Sequence, residues 1–158
     1  MNREKLRDRL AENPELGEVL RNLLTTQQFG VLCTQSHGQP HGSVMCFVVA
    51  DDLSRIWFAT PRNTRKYEDM RDNDRVAFVV ENTRNRSSDV FEAVATTSTG
   101  QVRDLEGPAR EAALALYLAR YPHLEEFATS PECALVELTV ASYQVVRQFQ
   151  HAVRVDVG

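Results

Sequence analysis

The chain lacks most of the features that would announce a function directly. Cysteine is limited to Cys33, Cys46 and Cys133, an odd number with no C-x-x-C pair. That spacing argues against a zinc site, which needs closely spaced ligand pairs, and reads instead as three free thiols behaving as small hydrophobes. No apolar run approaches the ~18 residues of a membrane span. The opening segment from Met1 to Leu10 is charged and has no signal-peptide apolar core, so the expectation is a cytoplasmic protein with no membrane partner. There is no basic excess either: 18 Lys and Arg stand against 22 Asp and Glu, a net charge of −4, which speaks against a nucleic-acid partner. No Walker sequence, H-E-x-x-H or Ser-His-Asp order occurs, so catalytic residues are left unassigned. The four histidines, His37, His41, His123 and His151, form no pair at ligand spacing, and no metal site is expected.

What is present is an ordinary globular mixture, 42% hydrophobic and 25% charged, in 158 residues. That length suits a single domain over residues 1–158 and buries roughly two-thirds of the unfolded surface. Leu16, Val19, Leu20, Leu23 and Leu24 recur at helical spacing, with Asn13 and Pro14 suited to the helix start. From Phe29 the period changes to two. A first strand through Thr34 precedes turn chemistry at 36–40, with Gly38 free to take positive φ. A second strand runs from His41 to Ala50 and a third from Arg55 to Thr60, and turns this short join antiparallel neighbours. A short helix over Pro61–Asn73 interrupts. Strands follow at Arg75–Glu81 and Ala93–Arg103, with Gly100 a bulge or close-approach point. A helix over Ala109–Arg120 and a helical turn at Leu124–Ala128 lead to a last strand, Cys133–Phe149, too long to stay straight and expected to bend near Ala141 or Ser142. The reading is predominantly antiparallel β, a six-stranded Greek-key-like barrel with peripheral α-helices, since closure removes exposed edges from Val-rich strands.

The segment that carries chemistry is Ala59-Thr60-Pro61-Arg62-Asn63-Thr64-Arg65-Lys66, where a strand hands over to a helix. Three cations fall within five residues, beside two hydroxyls. Helix starts present unpaired N–H groups and partial positive charge, so acids are favoured there and cations are not. Such a concentration of cations suits a bound phosphate; the alternative is a solvated basic first turn capped by Asn63 or Thr64.

With these residues in place, the chain resembles the pyridoxamine 5′-phosphate oxidase-like flavin-binding split β-barrels. The order of elements from Phe29 to Asn82 follows that group, and T-x-x-x-[ST]-x-K falls on Thr60, Thr64 and Lys66, with Arg65 completing the basic triplet. The resemblance implies that Ala59, Thr60, Thr64, Arg65 and Lys66 hold the phosphate of FMN. It implies that Ser43, Val44, Met45 and Cys46 face the isoalloxazine ring. It further implies a homodimer with the cofactor at the interface. Three departures argue against pyridoxamine phosphate oxidation itself. Ser43 stands where the true oxidase has Arg, its flavin-contacting Gln has no counterpart near Ala95, and Arg154 is followed by Val155 and Asp156 rather than by the Arg-x-His pattern. The expectation is a flavin-dependent oxidoreductase acting on a small molecule or electron donor. The alternatives are a non-catalytic flavin carrier, or the same fold holding a deazaflavin or haem.

Overall fold

In a computed structural model, residues 2–148 and 151–156 are described, with side chains from Glu4 onward. The helix expected at Asn13 is α2, Pro14–Thr26, and the Asn13 side chain accepts the Leu16 N–H at 3.2 Å. Before it lies α1, Asn2–Glu12, which the sequence reading missed; its Leu6 is fully buried. Leu16, Leu20, Leu23 and Leu24 of α2 sit in the same core as the strands. Each buried leucine contributes about 2 kcal/mol of transfer free energy.

The strands are β1 (Phe29–Ser36), β2 (Gln39–Cys46), β3 (Val48–Val49), β4 (Arg55–Pro61), β5 (Arg75–Glu81), β6 (Ala95–Asp104), β7 (Cys133–Arg147) and β8 (His151–Asp156). Six strands were expected; one of them is divided, and β8 is a further strand beyond the last of them. The second breaks at Phe47 into β2 and β3. The last ends at Arg147, with Phe149 outside the described residues, and β8 pairs back on it. The helices between are α3 (Arg65–Asp72), α4 (Asp89–Glu92), α5 (Gly107–Arg120) and α6 (Glu125–Thr129). α3 is shorter than expected because Pro61 still belongs to β4 and Thr64 keeps extended backbone, φ −113° and ψ 155°.

All pairing is antiparallel, in the order β2-β1-β5-β6-β7-β4-β3, with β8 beside β7. The two ends of that path, β2 and β3, are separated in the chain only by Phe47, so the sheet curls into a barrel. Inside lie Leu32, Phe47, Phe58, Phe78 and Tyr143. The expected bend in the last strand is a β-bulge: Thr99 pairs Ser142 and Gly100 pairs Val140, leaving Ala141 as the extra residue. Gly100 is required there, since a Cβ would overlap the Thr139 carbonyl oxygen. The 36–40 turn carries positive φ at His37 and Gly38. Cys33 pairs opposite Gly42, four residues along the ladder from Cys46. That is about 13 Å of strand, beyond the reach of a disulfide, and all three thiols are free.

Candidate functional site

The barrel is split where the notional phosphate segment begins. Ala50 N–H donates to the Arg55 carbonyl at 2.9 Å, and strand alternation then turns the backbone groups of Val48 and Cys46 toward β4. Val48 finds Trp57, but the ladder stops there, one step short of Cys46 opposite Ala59. Beyond that point, among the described residues, β2 pairs only with β1, and residues 58–61 of β4 pair only with β7. The segments Ser43–Cys46 and Ala59–Lys66 are therefore the two lips of the split. Their facing backbone edges are left for water or a ligand.

At the mouth of the split, α3 begins without a side-chain cap. Thr64, at the cap position, turns its hydroxyl back to the Pro61 carbonyl at 2.8 Å, and it lies 3.4 Å from the Thr60 hydroxyl. The first helical bond is Glu68 N–H to the Thr64 carbonyl, so the N–H groups of Arg65, Lys66 and Tyr67 precede it. The three cations divide. Arg62 is held by Asp104, at 3.0 and 3.3 Å, and donates to the Pro131 carbonyl at 2.8 Å. Tyr67 donates to the same carboxylate at 2.9 Å. Asp104 raises the Arg62 pKa further, while burial and then Asp104 push the Tyr67 phenol up. Arg65 is exposed and Lys66 half-buried, and among the described residues neither has a hydrogen-bond or ion-pair partner.

The remaining sequence-derived residues differ in what they can offer. Val44 is 71% exposed, and Ser43 and Cys46 are half-buried. Met45 points into the barrel core, Ala59 packs beneath α5 and Thr60 is fully buried. For Met45 and Ala59, only backbone reaches the split. Burial raises the Cys46 thiol pKa, and the nearby Arg120 partly offsets it. Trp57 and Phe58 take opposite faces: Phe58 enters the core, whereas Trp57 lies under α5 and donates its indole N–H to the buried Glu137 at 2.9 Å. Arg55 and Arg103 flank that carboxylate at 3.3 and 3.0 Å. Loop residues Arg84 and Arg86 donate backbone N–H groups to Asp89, and Arg86 pairs with Glu92. Among the described residues, no three metal-ligating side chains come together, and no helix is long and apolar enough to cross a membrane.

A separate hollow lies elsewhere. About 610 Å³ opens on the outer face of the sheet between Cys33, Ala77, Thr99 and Gly100, with Arg75 and Gln101 also lining it. It holds none of the residues expected to bind the cofactor, and the sequence signal for it was only the run of small residues at facing positions of β1, β5 and β6. It belongs to a larger uncovered surface. The ladder brings Val44, Val31, Val79, Thr97, Gln144 and Arg154 into one row across five strand pairings, and among the described residues no helix lies over Val44 or Val31, 71% and 37% exposed.

The family description of pyridoxamine 5′-phosphate oxidase matches residues 16–147, from the start of α2 to the end of β7. The chain belongs to that family. Within it, this member is similar to a 5a,11a-dehydrotetracycline/5a,11a-dehydrooxytetracycline reductase of Streptomyces rimosus, 34% identical over 91 residues, which cover 55% of this chain and 63% of the reductase. Solved structures share the fold. A haem-binding protein from Mycobacterium smegmatis is 14% identical, with a TM-score of 0.77 over 86% of this chain and 55% of its own. An FAD-binding protein from Mesorhizobium loti is 16% identical, with a TM-score of 0.61 over 79% of this chain and 89% of its own. The chain thus spans less than two-thirds of the reductase and little more than half of the haem-binding protein.

Proposed function

We propose that the chain binds FMN in the split and serves as a flavin-dependent oxidoreductase toward a small molecule. The observation that carries this reading is an uncapped helix start with two partnerless cations, set at the mouth of a gap between unpaired strand edges. The donor set fits a phosphate ester: Arg65 and Lys66 supply charge, Thr64 a hydroxyl, and the first turn of α3 free N–H groups. The backbone edge at Val44 and Cys46 fits the polar rim of an isoalloxazine ring. Bound flavin would supply the hydride or electron transfer, while the chain's residues bind, orient and keep water from the ring. Membership of the family and similarity to a reductase support the oxidoreductase class. The three departures noted above set it apart from pyridoxamine phosphate oxidation. The uncovered row through Val44, Val31 and Val79 is assigned to a second copy of the chain, giving a homodimer with the split beside the interface.

The test is titration of apoprotein with FMN and riboflavin. Loss of one charge-assisted hydrogen bond, worth about 1.5–3 kcal/mol, should weaken FMN binding roughly 10- to 150-fold in Arg65→Ala or Lys66→Ala. Riboflavin, lacking the phosphate, should bind those variants unchanged. Equal loss of both ligands would refute the phosphate assignment. Anaerobic reduction by a nicotinamide cofactor followed by turnover with an acceptor separates enzyme from passive carrier. The absorption spectrum of the purified protein separates flavin from deazaflavin or haem.

A further inference from the structure

Phe47 is the one residue between β2 and β3, and its ring lies in the barrel core, edge-on to Phe78 at 5.2 Å. The β1–β2 register, with Phe29 opposite Cys46, would bring Gln28 opposite Phe47 at the next step, yet the ladder ends before it. The Tyr121 hydroxyl occupies that step. It accepts the Phe47 N–H at 3.3 Å, and its proton lies between the carbonyls of Phe47 at 2.6 Å and Gln28 at 3.1 Å. Arg120 adds a second hold. Its guanidinium donates to the Phe47 carbonyl at 3.0 Å and to the carbonyls of Leu24, Thr25 and Gln27 at the end of α2, at 3.4, 3.2 and 2.5 Å. It also sits 5.3 Å from the centre of the Phe47 ring.

We propose that Arg120 and Tyr121 are positioning residues for the split: wedged between Phe47 and Gln28, they fix the bend from β2 to β3 and so the gap between Cys46 and Ala59. The proposal rests on the flavin reading for its ligand. A direct strand pair spans one hydrogen bond, whereas the phenol interposes an oxygen and two. With the hydroxyl gone, Phe47 can close on Gln28, extending the β1–β2 ladder by one pair and carrying Cys46 away from β4. Both lips of the split would then change spacing, although neither residue touches the ligand.

The experiment uses Tyr121→Phe in the full chain. FMN and riboflavin affinities should fall together by roughly 3- to 10-fold, as expected for one neutral hydrogen bond acting on ring contacts common to both. The visible band of the bound flavin should shift as well. Leu114→Ala, partly buried in the α5 cluster and outside the hydrogen bonds that hold Phe47, is the control for general destabilisation. It should leave both affinities and the spectrum as they were. In unliganded protein, amide exchange at Phe47 and Val48 should quicken at least about tenfold in Tyr121→Phe and not in the control. If Tyr121→Phe does not fold, Arg120→Lys takes its place with the same expectations. Unchanged affinities in a variant whose parent binds flavin, or equal losses in Leu114→Ala, overturn the positioning role. A parent that binds neither flavin overturns the flavin reading instead and takes the ligand part of the proposal with it; unchanged exchange at Phe47 overturns the clamp itself.

Discussion

On β4 from Ile56 to Thr60, and on β7 from Cys133 to Leu138, every residue is buried; on β1 and β5 burial alternates. The two patterns mark two ways of finishing the same sheet. Over β4 and the first half of β7, α5 and the Tyr121 that caps it supply a second layer through Ala113, Tyr117 and Tyr121, packed on Trp57, Ala59 and Leu135. Over β2, β1, β5 and the far half of β7, nothing among the described residues does, and Phe29, Val31, Val44 and Val146 remain exposed. A strand covered on both faces reads as a continuous apolar run, and one covered on a single face alternates. The sequence therefore records where the chain supplies its own cover and where the described residues leave the sheet face open.

Tyr117→Ala, in the covered region, should be the most damaging change, at about 3–5 kcal/mol, because a large, fully packed ring is removed. Val44→Ala, in the uncovered region, should stay within about 0.5 kcal/mol in dilute protein. Urea unfolding checks both, and equal losses would erase the contrast. Next in size, Val31→Asp should weaken self-association by on the order of a hundredfold, since two-fold symmetry brings like charges together on an apolar face. Light scattering across a concentration series reads this directly, and an unchanged mass would remove the homodimer.

Alkaline pH should weaken the covered region. Burial raises the pKa of Tyr117, Tyr121 and Cys133 in the folded chain. The unfolded chain then gives up these protons earlier, so their contribution is complete below the ordinary thiol and phenol values and declines as pH rises through about 8.5 to 10 and beyond. A pH series of denaturant midpoints should fall over that range, and less so in Cys133→Ala. The smallest effect concerns thiol labelling. Cys33, half-buried on the uncovered face with its pKa raised by burial, should alkylate more slowly than a free thiol near pH 8 and faster as pH climbs. Cys133, 2% exposed, should stay unlabelled until the protein unfolds. Mass spectrometry with time separates the two.

The periodic elements were legible because each rests on local pattern: α2 on its leucines and Asn13, β1 and β5 on alternation, Gly100 on the close approach it permits. α1 was not, since Leu6 and Leu10 are its only leucines amid charges and their burial comes from packing on the rest of the fold. The break at Phe47 leaves no mark in its neighbours either, because the groups that make it, Arg120 and Tyr121, lie 73 and 74 residues further along the chain. Likewise Arg62, Arg65 and Lys66 are indistinguishable as a run of cations. Only the arrival of Asp104 from the end of β6 assigns Arg62 to structure and leaves the other two facing outward. Local order is written locally; the division of labour within the site is written by distant strands.

The bulged β7 has a consequence for how the molecule assembles. It contacts β4, β6 and β8, and Trp57 meets Glu137 across 80 residues of chain. Hairpins such as β1–β2 form in about 1–10 μs, but the ring of strands cannot be completed until the chain has looped back over that distance. Folding should accordingly be slow for a chain of this size, in the range of milliseconds to seconds. During synthesis, β1 to β6 emerge with the strand that completes them still unmade. In that interval their valine-rich edges are open to neighbouring chains, so the hazard of misassembly belongs to the nascent protein rather than to the finished one.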